Sequence, residues 1–431
     1  MINWPRRSLI CLYVSVVIVK AVLLFLAIPE LSNRLAPLYG QTLYADGYDL
    51  LAANLVAGNG YRFFPETAKT LMREPGYPIF LAGMFRIFGD GLIPVKSANL
   101  LLALFTALLM TRIARRLSSS QVVILVCPIL FLLHPATVIA ESRGGFELLF
   151  TFLLTLFALT LYRCIEANKY WHYVVSGGIL GLTVLVKSTP MLFPFFLLAY
   201  LLVFGSRRNS KLSICWNIGL MVFAMIVVLS PWIIRNYTLT GRPLPTASVL
   251  GVSAHAGQYI CAHLSMDNCL RDLDWDAAQE RDKLAQELGY SFKRGYYQMF
   301  YSTTDEIEFS NYLLKRVVAE YQRSPMLFAK CMGYNLFNFW FAGKTWKSTS
   351  LNLVVQLPYL ILAVVGTVLS LRGGQFKTIA PLALIILYIV AVYIPILSQA
   401  RYSVPLIPFL SILACISLVA AQRRFISGGI V

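Results

Sequence analysis

The sequence predicts an all-α integral membrane protein, a bundle of about ten transmembrane helices carrying two long polar segments. Three observations predict it. Hydrophobic residues make up 58% of the 431 residues and charged residues only 13%, against about 45–50% and about 25% in soluble domains. The mean hydropathy is +0.67, an excess of apolar surface that needs lipid as its solvent. The apolar residues also gather into runs of about 20, the length that crosses a bilayer core, and short basic loops separate many of them.

The predicted spans are, in chain order, about 8–28, 93–114, 120–137, 147–165, 172–187, 190–205, 212–232, 351–371, 378–397 and 403–421. Arg6 and Arg7 precede the first, which has no small-residue cleavage site and reads as an uncleaved helix. The second ends in Arg112, Arg115 and Arg116, and the fourth closes on Arg163 and Lys169. The fifth and sixth form a tight pair broken at Ser188-Thr189-Pro190. Arg207, Arg208 and Lys211 lead into the seventh, Arg372 and Lys377 separate the eighth and ninth, and Arg423-Arg424 follows the tenth. Every second loop is thus short and basic, which places both termini in the cytoplasm by the positive-inside rule. The organisation expected is an N-terminal transmembrane module over 1–232, an extracytoplasmic region over 233–350 and C-terminal transmembrane helices over 351–431. Segment 29–90 is then the first outer loop, and the turn near 138–146 faces the same side.

The net charge of +17 has three sources to consider: loop anchoring, contact with anionic membrane lipids, and an anionic substrate. Nucleic acid is not an expected partner, because the basic residues are scattered along membrane-flanking loops. The eight cysteines contain no C-x-x-C pair, so no structural zinc site is expected. Cys11, Cys127, Cys164, Cys215 and Cys415 lie in apolar runs as small hydrophobes. Cys261 and Cys269 bound the outer stretch CAHLSMDNC and read either as a small disulfide loop or as two free thiols.

Ionisable residues converge on the outer mouths of the helices, where burial of charge is costly and usually serves a function. Asp46 and Asp49 lie in YADGYDLLAANLVAGNG, one turn apart on a short helix that Gly58 and Gly60 end. Such a pair suits a general base or a metal site, and equally a solvated helix start. In MREPGYPIFLAGMFRIFG, Pro75 and Pro78 hold the preceding residues extended, ahead of a helix too short to span. Arg73 and Glu74 sit at its mouth, at the depth of a lipid headgroup. Glu141, Arg143 and Glu147 surround the re-entry of the fourth span, Lys187 the break between the fifth and sixth, Arg235 the end of the seventh, and Arg401 the start of the tenth. Any one cation alone reads as snorkelling to the interface. Together they form a set able to hold a phosphate or diphosphate beside carboxylates.

In order and spacing, Asp46 with LAANLVAGNGYRF, then REPGYPIFLA, PWIIRN and RYSVPLIPFL, resemble the aminoarabinose-transferase and protein-mannosyltransferase type of GT-C glycosyltransferase over most of the chain. The resemblance implies a GT-C bundle with extracytoplasmic juxtamembrane helices and a small α-rich extracytoplasmic region. It implies a polyprenyl-phosphate-linked sugar as donor, a lipid, glycan or protein acceptor, and an inverting single displacement on the extracytoplasmic face. The family's catalytic Asp matches Asp46, with Asp49 as rival because Tyr48 follows Asp46 by only two residues; its second acid matches Glu147, and less well Glu141. Tyr77 and Tyr402, inside the matching stretches, join Arg73, Glu74, Arg143, Lys187, Arg235, His255 and Arg401 as substrate-binding candidates. Some relatives bind a divalent metal ion, but His134, His172, His255 and His263 form no two-His pattern that demands one. Compact loops point to a bacterial inner membrane.

The segment EFSNYLLKRVVAEYQRSPMLF has apolar residues at helical spacing (Tyr312, Leu313, Val317, Val318, Tyr321) and reads as an amphipathic helix on the membrane or over the site. Two other functions are compatible with the sequence. A flippase or transporter of a lipid-linked saccharide predicts midplane charge and internal repeats; Lys20 is the clear midplane charge and no repeat is seen. A polysaccharide polymerase or ligase would share the outer cations without needing an acidic first loop.

Overall fold

In the computed structural model, residues 6–27, 45–205, 210–264, 270–294 and 298–428 are described. The chain is an all-α integral membrane protein. Seventeen α-helices are described, and the one sheet among the described residues is a two-stranded pair, Phe292–Lys293 against Met299–Phe300. The apolar runs become α1 (Arg6–Val22), α4 (Leu92–Leu117), α5 (Gln121–Leu133) with α6 (Pro135–Ser142), α7 (Glu147–Ala167), α8 (Tyr170–Val186), α9 (Phe193–Phe204), α10 (Lys211–Thr240), α15 (Trp346–Arg372), α16 (Phe376–Tyr393) and α17 (Ile407–Gly428). Among the described residues, six spans are long and apolar enough to cross a membrane alone, or seven if α5 and α6 are one bent span. The other predicted spans are shorter apolar helices, Cys11–Ala27, Tyr170–Val186 and Thr189–Phe204, so the count of ten is not reached by length alone.

Proline accounts for the breaks. Pro135 forces His134 into extended backbone, and α5 and α6 diverge by 49° there. Lys187 is likewise extended, after which Thr189-Pro190 open a 3-10 turn into α9. Helix α7 and the last span are the most enclosed, while α4, α10 and α15 turn residues such as Leu108, Phe223 and Val364 outward, as lipid-facing helices do. Close packing needs small residues: a Cβ on Gly177 of α8 would lie 2.2 Å from the Met221 carbonyl oxygen of α10.

The polar segments carry short helices of their own: α2 (Tyr48–Val56), α3 (Gly76–Phe88), α11 (Leu250–His263), α12 (Leu270–Glu287), α13 (Thr303–Arg323) and α14 (Pro325–Phe341). Helix α2 ends where Gly58 takes a left-handed conformation, φ +77°. Helix α3 buries Tyr77, Leu81 and Phe85 while exposing Ile79, Ile87 and Phe88, the pattern of a short interfacial helix.

Three expectations are corrected. Helix α10 continues to Thr240, so Arg235 lies inside it rather than capping it. Helix α13 buries Phe309, Leu313 and Val317 and packs on α11, while Tyr312 and Val318 of the predicted apolar stripe are exposed. Its buried stripe runs through positions 306, 309/310, 313 and 317, which mixes Glu306 and Ser310 with the apolar residues and so escaped a reading by hydrophobicity. Finally, Cys261 of α11 is bonded to Cys331 of α14, with 5.5 Å between their Cα atoms; Cys269 lies outside the described residues. Alkylation of the denatured protein should therefore leave Cys261 and Cys331 unlabelled until a reductant is added, and Cys331→Ser should make Cys261 reactive and lower stability by roughly 2–4 kcal/mol. Labelling of Cys331 without reductant would contradict the pairing.

Candidate active site

Asp46 and Gly47 both adopt left-handed backbone, φ +74° and +71°, immediately before α2. Asp is one of the few side chains tolerated there. The consecutive left-handed residues turn the chain sharply, so Asp46 leaves the helix on which Asp49 begins its first turn. This corrects the expectation of two carboxylates on one helical face, which assumed an uninterrupted helix. Asp49 is half-buried, and burial raises its carboxyl above the ordinary range despite bonds from backbone amides.

The Asp46 carboxylate meets the end of the 3-10 turn Ala400–Leu406. Arg401 donates to it twice, from Nη1 to Oδ2 at 2.8 Å and from Nη2 to Oδ1 at 3.3 Å. Arg73 lies beside the same oxygen, its Nη2 3.7 Å from Oδ1, and its Nε donates to the Asp46 carbonyl at 3.3 Å. Glu147, the first residue of α7, places Oε1 3.9 Å from Arg401 Nη1. Two guanidinium groups and two carboxylates, from four segments far apart in sequence, thus meet within a few ångströms. Asp46, Arg73 and Glu147 are nearly buried, whereas Arg401 keeps 27% of its side chain accessible.

A cavity opens on this cluster, lined by Asp46, Tyr48, Arg73, Lys187, Arg281 and Arg401 among others. Lys187 Nζ stands 3.8 Å from Glu74 and 5.5 Å over the Phe146 ring. Tyr402 also lines the cavity, with its ring stacked on Tyr393 at 4.6 Å and the Arg401 guanidinium 5.2 Å from its centroid. Glu74 and Tyr77 support the wall. The buried Glu74 carboxylate accepts bonds from Ser188 N at 3.1 Å and Oγ at 2.6 Å. Burial raises its pKa, but the Lys187 charge and the Ser188 bonds together outweigh burial and hold it below the usual value. Tyr77 sets its ring edge-on to Tyr48 at 5.2 Å. The exposed Arg143 is near enough for the charges of Glu147 and Arg401 to act on it.

Three candidates belong elsewhere. Glu141 is committed to Lys20, 2.7 Å away and equally buried, tying α6 to α1. Arg235 donates to the Thr70 carbonyl at 3.0 Å and lies 4.4 Å over the Trp232 ring, beside Tyr61, without lining the cavity. His255 is buried 3.6 Å from Glu280, and burial followed by the charges of Arg281 and Arg316 lowers its pKa to about 3. It is therefore neutral at pH 7, and it does not line the cavity.

The residues missed by sequence reasoning are Asp274, Arg281, Lys344 and Glu306. Asp274 and Arg281 lie seven residues apart, two turns along one face of α12, and both line the cavity. That spacing was visible, but it sits in a helix of mixed charge with several other acids and bases. Lys344, between α14 and α15, has its pKa lowered by the surrounding protein and then by Arg143 and Arg401. Glu306 anchors the loop before Arg73, accepting bonds from Thr70 Oγ1 at 2.5 Å, Leu71 N at 2.9 Å and Ser248 Oγ at 2.6 Å. Among the described residues no group of three or more His, Cys, Asp and Glu side chains is placed to hold a metal ion; Asp46 and Glu147, the acids at the cluster, both face Arg401.

A sequence model of the dolichyl-phosphate-mannose-protein mannosyltransferase family matches residues 72–234. The matched stretch includes Arg73, Glu74, Glu147 and Lys187, and the match supports a polyprenyl-phosphate-dependent membrane glycosyltransferase of the GT-C type. No curated protein matches the chain. Among solved structures, the chain is similar to ArnT from Cupriavidus metallidurans bound to undecaprenyl phosphate, at 14% identity and a TM-score of 0.44, over 97% of this chain and 79% of that one. The apo state of the same protein gives 14% identity and a TM-score of 0.40, over 95% and 76%.

Proposed function

We propose that this chain transfers a sugar from a polyprenyl-phosphate carrier to an acceptor hydroxyl at the extracytoplasmic face of the membrane, by an inverting single displacement. The observation that carries the reading is the cluster of Asp46 with Arg401 and Arg73 in the lining of one cavity, with Glu147 beside Arg401. An acceptor hydroxyl attacking the anomeric carbon must lose a proton, and a positioned carboxylate takes it. Asp46 is that base. As the new bond forms, the bond from the anomeric carbon to the phosphate oxygen breaks, and its electron pair leaves with the lipid phosphate. The leaving group needs charge stabilisation rather than a strong acid, and fixed cations supply it. Arg401, Arg73 and Lys187 hold the phosphate, Glu147 steadies Arg401, and Tyr48 and Tyr402 bound the sugar. Arg143 and Lys344 add positive charge nearby, and Arg281 adds it in the wall.

The direction of the helices supports the extracytoplasmic side. Glu147 begins α7 and Arg401 begins the last span, whereas Arg115 and Arg116 end α4 and Arg423 and Arg424 end α17. The cavity is therefore at the end of the bundle away from the basic loops, which the positive-inside rule assigns to the cytoplasm. The Cys261–Cys331 bond supports the same side, since disulfides persist in oxidising compartments. A bacterial inner membrane fits both points. Lys20, the midplane charge that favoured a transporter, is satisfied by Glu141 and serves packing. The test is transfer of labelled sugar from polyprenyl-phosphate donors to membrane acceptors by the purified full chain in liposomes. Transfer is expected with at least one donor and none with nucleotide sugars; movement of the intact donor across the bilayer without transfer would replace this reading by a flippase.

A further inference from the structure

The guanidinium groups that are to hold the phosphate are already occupied by a carboxylate. Arg401 gives both terminal nitrogens to Asp46, and Arg73 stands at the same Asp46 oxygen. A phosphate entering the cavity and the Asp46 carboxylate therefore compete for one pair of cations. The competition changes during the reaction. The donor is a phosphodiester with one negative charge, and the departing polyprenyl phosphate is a monoester that approaches two. Asp46 begins as a carboxylate and ends as a neutral acid holding the acceptor's proton.

Resting on the glycosyltransferase reading above, we infer that Arg401 and Arg73 pass from Asp46 to the phosphate during the displacement, so that the proton arriving on Asp46 frees cationic charge as the phosphate gains it. The acceptor O–H breaks, and its proton joins the Asp46 carboxylate. The acceptor oxygen bonds to the anomeric carbon, the bond from that carbon to the phosphate oxygen breaks, and its pair stays on the phosphate. One unit of negative charge leaves Asp46 and one appears on the phosphate, and the net charge around the two guanidinium groups is constant. Glu147 secures the transfer geometrically: its Oε1 is 3.9 Å from the same Arg401 Nη1 that donates to Asp46, and, carried by the enclosed α7, it keeps Arg401 in place when Asp46 lets go. Stabilisation of this kind appears in the transition state and not in the ground state, the condition for raising the rate of the chemical step.

The handover predicts an inverted binding result. Asp46→Asn has the shape of the protonated acid and no charge, and Asn suits the left-handed backbone at this position; Asp46→Gly suits it too. Binding of a polyprenyl monophosphate and of its methyl phosphodiester to the purified full-length protein would be measured by calorimetry, with thermal unfolding as the check of folding. Asp46→Asn and Asp46→Gly are expected to bind the monophosphate about 10-fold more tightly than the wild type, and the diester with a smaller gain. Glu66→Gln, which removes an exposed carboxylate paired with Lys293, should leave both affinities unchanged. Unchanged or weaker monophosphate binding in the two Asp46 variants, with wild-type binding intact, would overturn the handover alone. Absence of binding by the wild type to either lipid would overturn the phosphate site itself and the handover with it.

Discussion

Asp46→Asn is expected to lower sugar transfer by roughly 10²–10⁴-fold at equal expression, the range lost when a positioned general base is removed. Donor binding should survive, so the loss should fall on kcat. The substitution keeps the left-handed backbone and both polar atoms of the side chain, and hence the fold. Asp49→Asn is the comparison, because Asp49 lies on the first turn of α2 and outside the cavity lining. Its transfer rate should stay within a few-fold of wild type by the same reasoning about geometry. Measured in one liposome assay, a loss in Asp46→Asn with retention in Asp49→Asn names the base. Retention in both would remove Asp46 from the mechanism, and a loss in Asp49→Asn alone would transfer the role to its neighbour.

Arg401→Ala is the second large effect. It removes a side chain that contacts both Asp46 and Glu147, leaving two carboxylates without that shared cation. A loss of about 10²–10³-fold in transfer is expected from the missing charge on the leaving phosphate. A fall of about 2 kcal/mol in stability should accompany it, below the 3–5 kcal/mol typical of fully buried pairs because Arg401 is 27% accessible. Arg401→Lys restores a charge but not two parallel donors, so it should recover stability more than rate. Combining Asp46→Asn with Arg401→Ala should cost less stability than the sum of the two, since the partners share one interaction. Additive losses would show that the two residues act independently.

The bundle was legible because lipid imposes a length and a composition on any segment that crosses it. Each of the ten apolar runs contains helix among the described residues, and the breaks at Pro135 and at Thr189-Pro190 fall where proline excludes helical backbone. Part of the site was legible for a related reason: a buried charge is expensive, so Arg73, Glu147, Lys187 and Arg401 stood out at apolar helix mouths. The same rule drew in Glu141, which is buried, and Arg235, which is half-buried; their charges are answered by Lys20 and by the Tyr61–Trp232 rings. Cost of burial marks a residue as partnered; it does not say with whom.

By itself, then, the sequence determined which segments enter the membrane and which residue types wait at their ends, because both depend on composition over a single run of chain. Partnership was decided by the tertiary structure. Whether Asp46 or Asp49 faces the cavity turns on two consecutive left-handed residues, whether Cys261 bonds to Cys331 turns on how α11 meets α14, and whether Arg281 counts as a site residue turns on which side of α12 closes the wall. The last two are relations between positions tens to hundreds of residues apart, set by packing in three dimensions, and the first is a backbone turn; hydrophobic periodicity carries no record of any of them.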